Sequence, residues 1–129
     1  MREIKFSYIF QHEETGNIID KRFTLEQIEE IDFGHYITFD LHRFALVSKR
    51  QFTGLKDKND KEIYEGDIIT NYGITNEMKA RKYQIVFTDE RARFSAYDLS
   101  SRWGTSISSY DMRQCEVIGN VYENPELLN

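Results

Sequence analysis

The chain opens on an alternation. In "EIKFSYIF" the residues Ile4, Phe6, Tyr8 and Phe10 recur at every second position, with Lys5 and Ser7 between them. That is the spacing of a strand with one face buried and the other wet. "QHEETGN" interrupts it with Gly16 and Asn17, residues that tolerate positive φ, and "IIDKRF" resumes it, so the first two strands are expected to form a hairpin. The period then changes. In "FTLEQIEEI", Leu25, Ile28 and Ile31 share one face of a helix. Thr24 is placed as its N-cap, Gln27 completes a capping box, and Phe23 with Ile28 can close a hydrophobic staple. Gly34 stands just beyond the last apolar position as a stop, which predicts one short helix over 24–32.

From Tyr36 to Phe52 the pattern is extended again. Ile37, Phe39 and Leu41 alternate with polar partners and "FALVS" is apolar and partly β-branched, which fits two strands or one bent strand. "DIITNYG", "KYQIVFTDERARFSAYD" and "CEVIGNVYENPELL" predict further strands, the middle one a hairpin turning near Asp89 and Glu90. "LSSRWGTSISSYD", rich in Ser and Gly, reads as a loop. So many short strands, with turn signals about every ten residues, suggest a small barrel whose closure removes exposed sheet edges. The fold class expected is mainly β in one domain, 1–129. Residues 1–50 supply an N-terminal β-hairpin and one short α-helix, and residues 51–129 supply the barrel.

Composition narrows the function classes. Hydrophobic residues make up 40% of the 129, with 9 Phe and 8 Tyr, enough to build a core, and the low Pro and Gly content argues against disorder. Lys and Arg number 17 against 22 Asp and Glu, so a net charge of -5 opposes non-specific attraction to nucleic-acid backbones unless the cations cluster. The single cysteine, Cys115, excludes an intramolecular disulfide, and the alternating N-terminus differs from a signal peptide's continuous apolar segment. No run approaches the roughly 18 apolar residues of a membrane span. A soluble protein of a reducing cytoplasm is the expectation.

Three stretches, "FTGLKDKNDKEIYEGDII", "EVIGNVYENPELL" and "MREIKF", together resemble the YopX family of bacteriophage and prophage proteins. The resemblance implies a mainly β protein with an SH3-type barrel, encoded by phage and working in the cytoplasm of the bacterial host, with no established biochemical activity. One position departs from the family's common Asp-Lys-Asn-Gly-Lys: here Asp60 replaces the Gly. Asn59 and Asp60 can both enter the left-handed region, at a cost on the order of 1 kcal/mol for Asp over Gly.

The candidate chemistry is thin. A calcium loop opening at Asp57 would need an oxygen ligand, a Gly and a Glu where the chain has Lys61, Glu62 and Ile68, so "DKNDKEIYEGD" reads as a solvated turn. Glu65 and Asp67 flank Gly66 as paired carboxylates, but nothing in the sequence supplies their cleft, and a step of this kind suits a turn that launches a strand. Asp40 and His42 share a strand face and His35 lies near, without a third ligand at metal spacing. His12 is expected to be exposed in its loop. Cys115 lacks a His partner and reads as a core thiol. No catalytic residue, metal site or cofactor is therefore expected, and the chain reads as non-enzymatic.

The richest constellation is basic and aromatic. Lys79, Arg81, Lys82, Arg91, Arg93 and Arg102 interleave with Tyr83, Phe87, Phe94, Tyr97 and Trp103, a mixture that small β-barrels use on single-stranded nucleic acid. Between Glu77 and Arg113 the balance is +2, leaving -7 elsewhere. The aromatics, however, hold the alternating positions of core residues. Exposed aromatics such as Trp103 and Tyr122, with Leu127 and Leu128 beyond Pro125, equally suit a protein-protein surface. The sequence therefore favours a protein-interaction module whose partner is a host or phage protein or a second copy of the chain. A nucleic-acid-binding barrel using Lys79, Arg81, Lys82, Arg91, Arg93, Arg102 and Trp103 is the alternative.

Overall fold

A computed structural model of the chain describes residues 3–31, 42–70 and 81–128. They fall into two compact units, Met1–Gln51 and Phe52–Asn129.

In the first unit the opening alternation becomes β1 (Lys5–His12), which pairs antiparallel with β2 (Ile18–Thr24) on one side and with the start of β3 (Phe44–Lys56) on the other. Phe6, Tyr8 and Phe10 turn to one face and pack with Ile19, Phe23, Ile28 and Phe44. The β1–β3 register passes from Ile9 opposite Ser48 to Phe10 opposite Leu46, leaving Val47 as a bulge residue. The strands expected over 36–41 and the stop at Gly34 lie outside the described residues.

The other face of β1 holds a buried polar group. Arg50 is 1% exposed; it donates to Ser7 Oγ from Nε (3.2 Å) and Nη2 (3.0 Å), and to Asp20 Oδ2 from Nη2 (3.1 Å). Ser7 Oγ in turn donates to Asp20 Oδ1 at 2.6 Å. The register makes this arrangement, because Arg50 stands opposite Ser7 on β3 while Asp20 stands opposite Ile9 on β2. A guanidinium out of water must be paired, and breaking such a pair costs more than the pair contributes.

The helix α1 (Leu25–Glu30) carries the expected capping box: Thr24 Oγ1 accepts from the Gln27 N–H at 3.2 Å, and Gln27 Oε1 accepts from the Thr24 N–H at 2.8 Å. It is shorter than the predicted 24–32, because Ile31 is already extended (φ -80, ψ 129). With no residue fully buried, little packing rewards a longer helix.

The second unit contains the end of β3, then β4 (Glu62–Tyr64), β5 (Asp67–Thr70), β6 (Lys82–Thr88), β7 (Arg93–Asp98), β8 (Gly104–Ser106), a one-turn helix α2 (Ser109–Met112), β9 (Glu116–Asn120) and a closing 3-10 turn, Pro125–Leu128. Five strands form an antiparallel sheet in the order β8-β7-β6-β5-β9, while β4 pairs with the end of β3. Ile63, Ile69, Ile85, Ala96, Met112, Cys115 and Val117 make its core.

The sheet corrects the expected closed barrel. Among the described residues no ladder joins β8 to β9, and β8, three residues long, pairs along one edge only. The predicted loop "LSSRWGTSISSYD" is corrected too, since it contains β8 and α2. Ser108 Oγ accepts from the Asp111 N–H at 3.1 Å and donates to Asp111 Oδ2 at 2.9 Å, a local cap that starts one helical turn and seats Met112 in the core. The cap was present in "SSYD", but no apolar run followed it to mark a helix.

"GLKDKNDKEIYEGDII" is built around Asp57, whose side chain has no exposure. Its Oδ1 accepts from the N–H groups of Asn59 (2.8 Å) and Lys61 (2.9 Å), and its Oδ2 accepts from the N–H of Val117 on β9 at 2.9 Å. The Lys58 N–H adds a bond to the Cys115 carbonyl at 3.0 Å. Asp60 adopts φ 64, the left-handed conformation its replacement of Gly demands. Gly66 takes φ 87; its N–H donates to the Ile85 carbonyl at 2.7 Å and its carbonyl accepts from the Val121 N–H at 3.0 Å. Asp67 Oδ2 accepts from the Tyr64 N–H at 2.8 Å, so both flanking positions of the turn are tied down.

The C-terminal motif is fitted as closely. A Cβ at Gly119 would stand 2.5 Å from Asn124 Oδ1, which accepts from the Asn120 N–H, while Asn120 Oδ1 accepts from the N–H groups of Tyr122 and Glu123.

Replacing Asp57 should therefore be costly. Asp57→Ala leaves three donors without their acceptor and should remove roughly 3 kcal/mol or more of stability. Asp57→Asn, which keeps an oxygen for the two turn donors, should be intermediate. Urea unfolding checks both, and an Asp57→Ala midpoint equal to wild type would refute the arrangement.

Candidate functional site

Alternation on β6 and β7 divides the second sheet into two faces. Tyr83, Ile85 and Phe87 stand opposite Asp98, Ala96 and Phe94, whereas Gln84, Val86 and Thr88 stand opposite Tyr97, Ser95 and Arg93. The first face carries the core and opens into a cleft of about 160 Å³. Ile69, Ala96, Met112 and Cys115 line it with apolar atoms, and Tyr83, Thr105, Ser106 and Asp111 add polar groups.

Beside this cleft a turn is organised by Asp98. Its Oδ1 accepts from the N–H groups of Ser100 (2.8 Å) and Ser101 (3.2 Å), and its Oδ2 from Arg81 at 3.1 Å. The Asp98 N–H donates to the Trp103 carbonyl and the Asp98 carbonyl accepts from the Arg102 N–H, both at 2.8 Å. The result is a tight connection in which Arg102 takes φ 63 and Trp103, just before β8, is left 77% exposed. Burial by itself raises the Asp98 carboxyl, but the Ser100 and Ser101 N–H groups and Arg81 outweigh it and hold the pKa below 3.8.

Of the basic and aromatic residues predicted as one surface, the described ones are not gathered on one face. Arg81 is paired with Asp98, and Lys82 Nζ donates to the Leu127 carbonyl at 2.8 Å. Arg93 is half-buried, its Nε without a hydrogen-bond partner, and stands with Tyr97 on the face opposite Tyr83, Phe87 and Phe94. Phe87 and Phe94 pack edge-on at 5.3 Å. Arg91 is exposed in the β6–β7 turn and Arg102 beside Trp103. Lys79 lies outside the described residues.

The remaining candidates have structural surroundings. Asp40 and His35 lie outside the described residues, and His42 is exposed. His12, expected to be exposed in its loop, instead ends β1 half-buried, accepts from the Glu14 and Thr15 N–H groups on Nδ1 and packs edge-on against Phe44 at 4.9 Å. Asp67 is buried on the Tyr64 N–H, and Glu65 is half-buried. Tyr122, read as exposed, is half-buried. Cys115 is in the core, its Sγ 3.3 Å from the Asp111 carbonyl. Burial first, then the Asp111 and Asp57 carboxylates, push its thiol above 9.0. Among the described residues no three His, Cys, Asp or Glu are grouped to hold a metal ion, and no helix is long and apolar enough to cross a membrane.

The model of one described family, "YopX protein", matches residues 3–129. The chain belongs to the YopX family. Among solved structures, that of protein EF1440 from Enterococcus faecalis is similar at a TM-score of 0.43 and 24% identity, over 95% of this chain and 75% of that one. No curated protein matches. In this YopX protein Asp57, Gly66 and Asp67 hold backbone in place, while Trp103 stands exposed on another turn.

Three measurements probe this geometry. With its thiol pKa raised by burial, Cys115 should react with Ellman's reagent roughly tenfold or more slowly in the native protein than in denaturant. Because the folded pKa of Asp98 is lowered, its contribution to stability is complete above the ordinary value of 3.8 and is lost as pH falls through the folded value. Asp98→Asn should abolish that share of the acid loss in a pH series of urea midpoints. It should also lower the fluorescence anisotropy of Trp103.

Proposed function

We propose that this YopX protein is a non-enzymatic protein-interaction module, an accessory protein of phage or prophage origin acting in the host cytoplasm. In this reading its second unit follows an SH3-type plan: β5 to β8 form a meander, and a fifth strand, β9, returns after one helical turn to lie beside the first. The observation that carries the proposal is Trp103, the single tryptophan of the chain, 77% exposed and two residues before Thr105, which lines an apolar cleft. A side chain of this size held in water by a tightly bonded turn contributes nothing to the core, and aromatic anchors of this kind dominate protein interfaces. The cleft's size points the same way. At about 160 Å³ it is smaller than the roughly 300–1,000 Å³ of small-molecule sites, and suits one side chain of a partner.

A second reading, single-strand nucleic-acid binding, has one observation in its favour, the adjacency of exposed Arg102 and Trp103. Stacking on Trp103 with a neighbouring cation would bind weakly and with strong salt dependence.

The test is affinity capture from a host lysate at physiological salt with wild-type protein and Trp103→Ala, alongside sedimentation velocity and a titration with short oligonucleotides. Capture or self-association that falls about tenfold or more in Trp103→Ala, as expected of an interface anchor, supports the module. A strictly monomeric protein with no reproducible partner contradicts it, and oligonucleotide binding lost in Trp103→Ala favours the second reading.

A further inference from the structure

The cleft of the second unit carries a charge. Of the residues that line it, Asp111 is the single charged one, and it is exposed. Its carboxylate accepts from the Ser108 hydroxyl on Oδ2, an uncharged donor, and no cation pairs with it among the described residues. The basic residues that flank this segment are engaged with other acids, Arg113 with Asp60 at 2.6 Å and Lys58 with Glu116 at 3.6 Å. Arg102, exposed on the turn before β8, is not part of the lining. The negative charge reaches the floor of the cleft: after burial, the Asp111 and Asp57 carboxylates each raise the Cys115 thiol by more than Lys58 lowers it. Burial, and then Asp98 against a smaller opposing effect of Arg81, raises the Tyr83 phenol above its ordinary range, so that it stays neutral. The other polar groups of the lining, Tyr83, Thr105 and Ser106, are hydroxyls, each with lone pairs to accept a hydrogen bond.

We propose that the cleft receives a lysine side chain of a partner protein, its methylene stem against Ile69, Ala96 and Met112 and its ammonium at Asp111. A lysine combines an apolar stem with a charged head that stays near water, which matches an apolar floor and an exposed carboxylate. The size agrees. The cleft holds about 160 Å³, close to the roughly 150 Å³ cavity that accepts benzene, and the lysine side chain has about five heavy atoms. An arginine is the poorer fit, because its planar fork is matched to both oxygens of a carboxylate and Oδ2 already holds the Ser108 hydroxyl. An ammonium is a point charge with three donors, which Oδ1 and the neighbouring hydroxyls can divide among them. A carboxylate or a second apolar group in the same place would leave Asp111 repelled or without compensation.

This site rests on the protein-interaction reading and names the group by which the partner is held. The probe is a capped peptide, Thr-Ser-Lys-Ser-Thr, titrated into full-length protein while NMR follows the backbone amides of Ala96, Thr105 and Met112. Saturable shifts at roughly millimolar peptide are expected. Norleucine in place of the lysine keeps the stem and removes the charge, and should weaken binding about fivefold. Asp111→Asn, which retains an oxygen for Ser108, should weaken the lysine peptide by a similar factor and leave the norleucine peptide unchanged. Arg102→Gln should bind the lysine peptide as tightly as wild type or more so, and n-butylamine should move the same amides. The comparison of lysine with norleucine is made on one protein, so it does not depend on a variant's folding. No saturable shift, equal binding of the norleucine peptide, or wild-type affinity in Asp111→Asn would overturn the lysine site. Binding of butylamine without the peptide would overturn a partner protein as the source of the amine. A null result with the peptide removes the lysine whatever Trp103→Ala does to capture, and unchanged capture in Trp103→Ala removes the tryptophan anchor whatever the peptide does.

Discussion

A carboxylate with no access to water must find hydrogen-bond donors, and Asp57 finds three, all of them backbone. Two belong to its own turn and the third to Val117, so one side chain fixes a local loop and attaches β9, distant in sequence, to it. Cys115, bonded through its carbonyl to the Lys58 N–H, is carried along, and Cys115 forms part of the cleft. The turn at Gly66 repeats the strategy with backbone groups, binding β6 through Ile85 and the end of β9 through Val121. These contacts account for why a charged, turn-rich stretch presents little chemistry to solvent. Its most telling carboxylates, Asp57 and Asp67, face inward.

How much was legible follows from what each signal reports. Period-two apolar spacing reports burial on one face, and it located β1, β2, β6, β7 and β9 because their faces are asymmetric. The Thr24–Gln27 capping box is local chemistry and survived intact. β8 could not be found this way, since Gly104, Thr105 and Ser106 bury nothing and owe their conformation to β7. Closure into a barrel was likewise beyond periodicity, because strand spacing constrains neighbours and says nothing about whether the margins meet. Helix length was overestimated because Ile31 continues the apolar spacing while its backbone is already extended.

The candidate site was legible only in part. Trp103 was singled out, but as one member of a basic surface two of whose cations the fold uses elsewhere, Arg81 on Asp98 and Lys82 on the Leu127 carbonyl. A count of charges cannot distinguish a free cation from one committed to a neighbour, and that distinction separates a nucleic-acid surface from structural pairing. Asp98, which builds the turn that presents Trp103, was missed altogether. An Asp at a strand end followed by two Ser is a recognised local cap of backbone N–H groups, and that signal was available in "YDLSS".

The account joins a backbone clamped from within to a strand edge that no other described strand covers, and amide hydrogen exchange measured by NMR examines both halves at once. It predicts that the N–H groups of Asn59, Lys61 and Val117 exchange slowly, near the limit set by unfolding of the unit, while those of Gly104 and Ser106 exchange fast. Rapid exchange at Val117 would contradict the clamp, and strong protection at Gly104 and Ser106 in the isolated protein would mean that the edge is already covered.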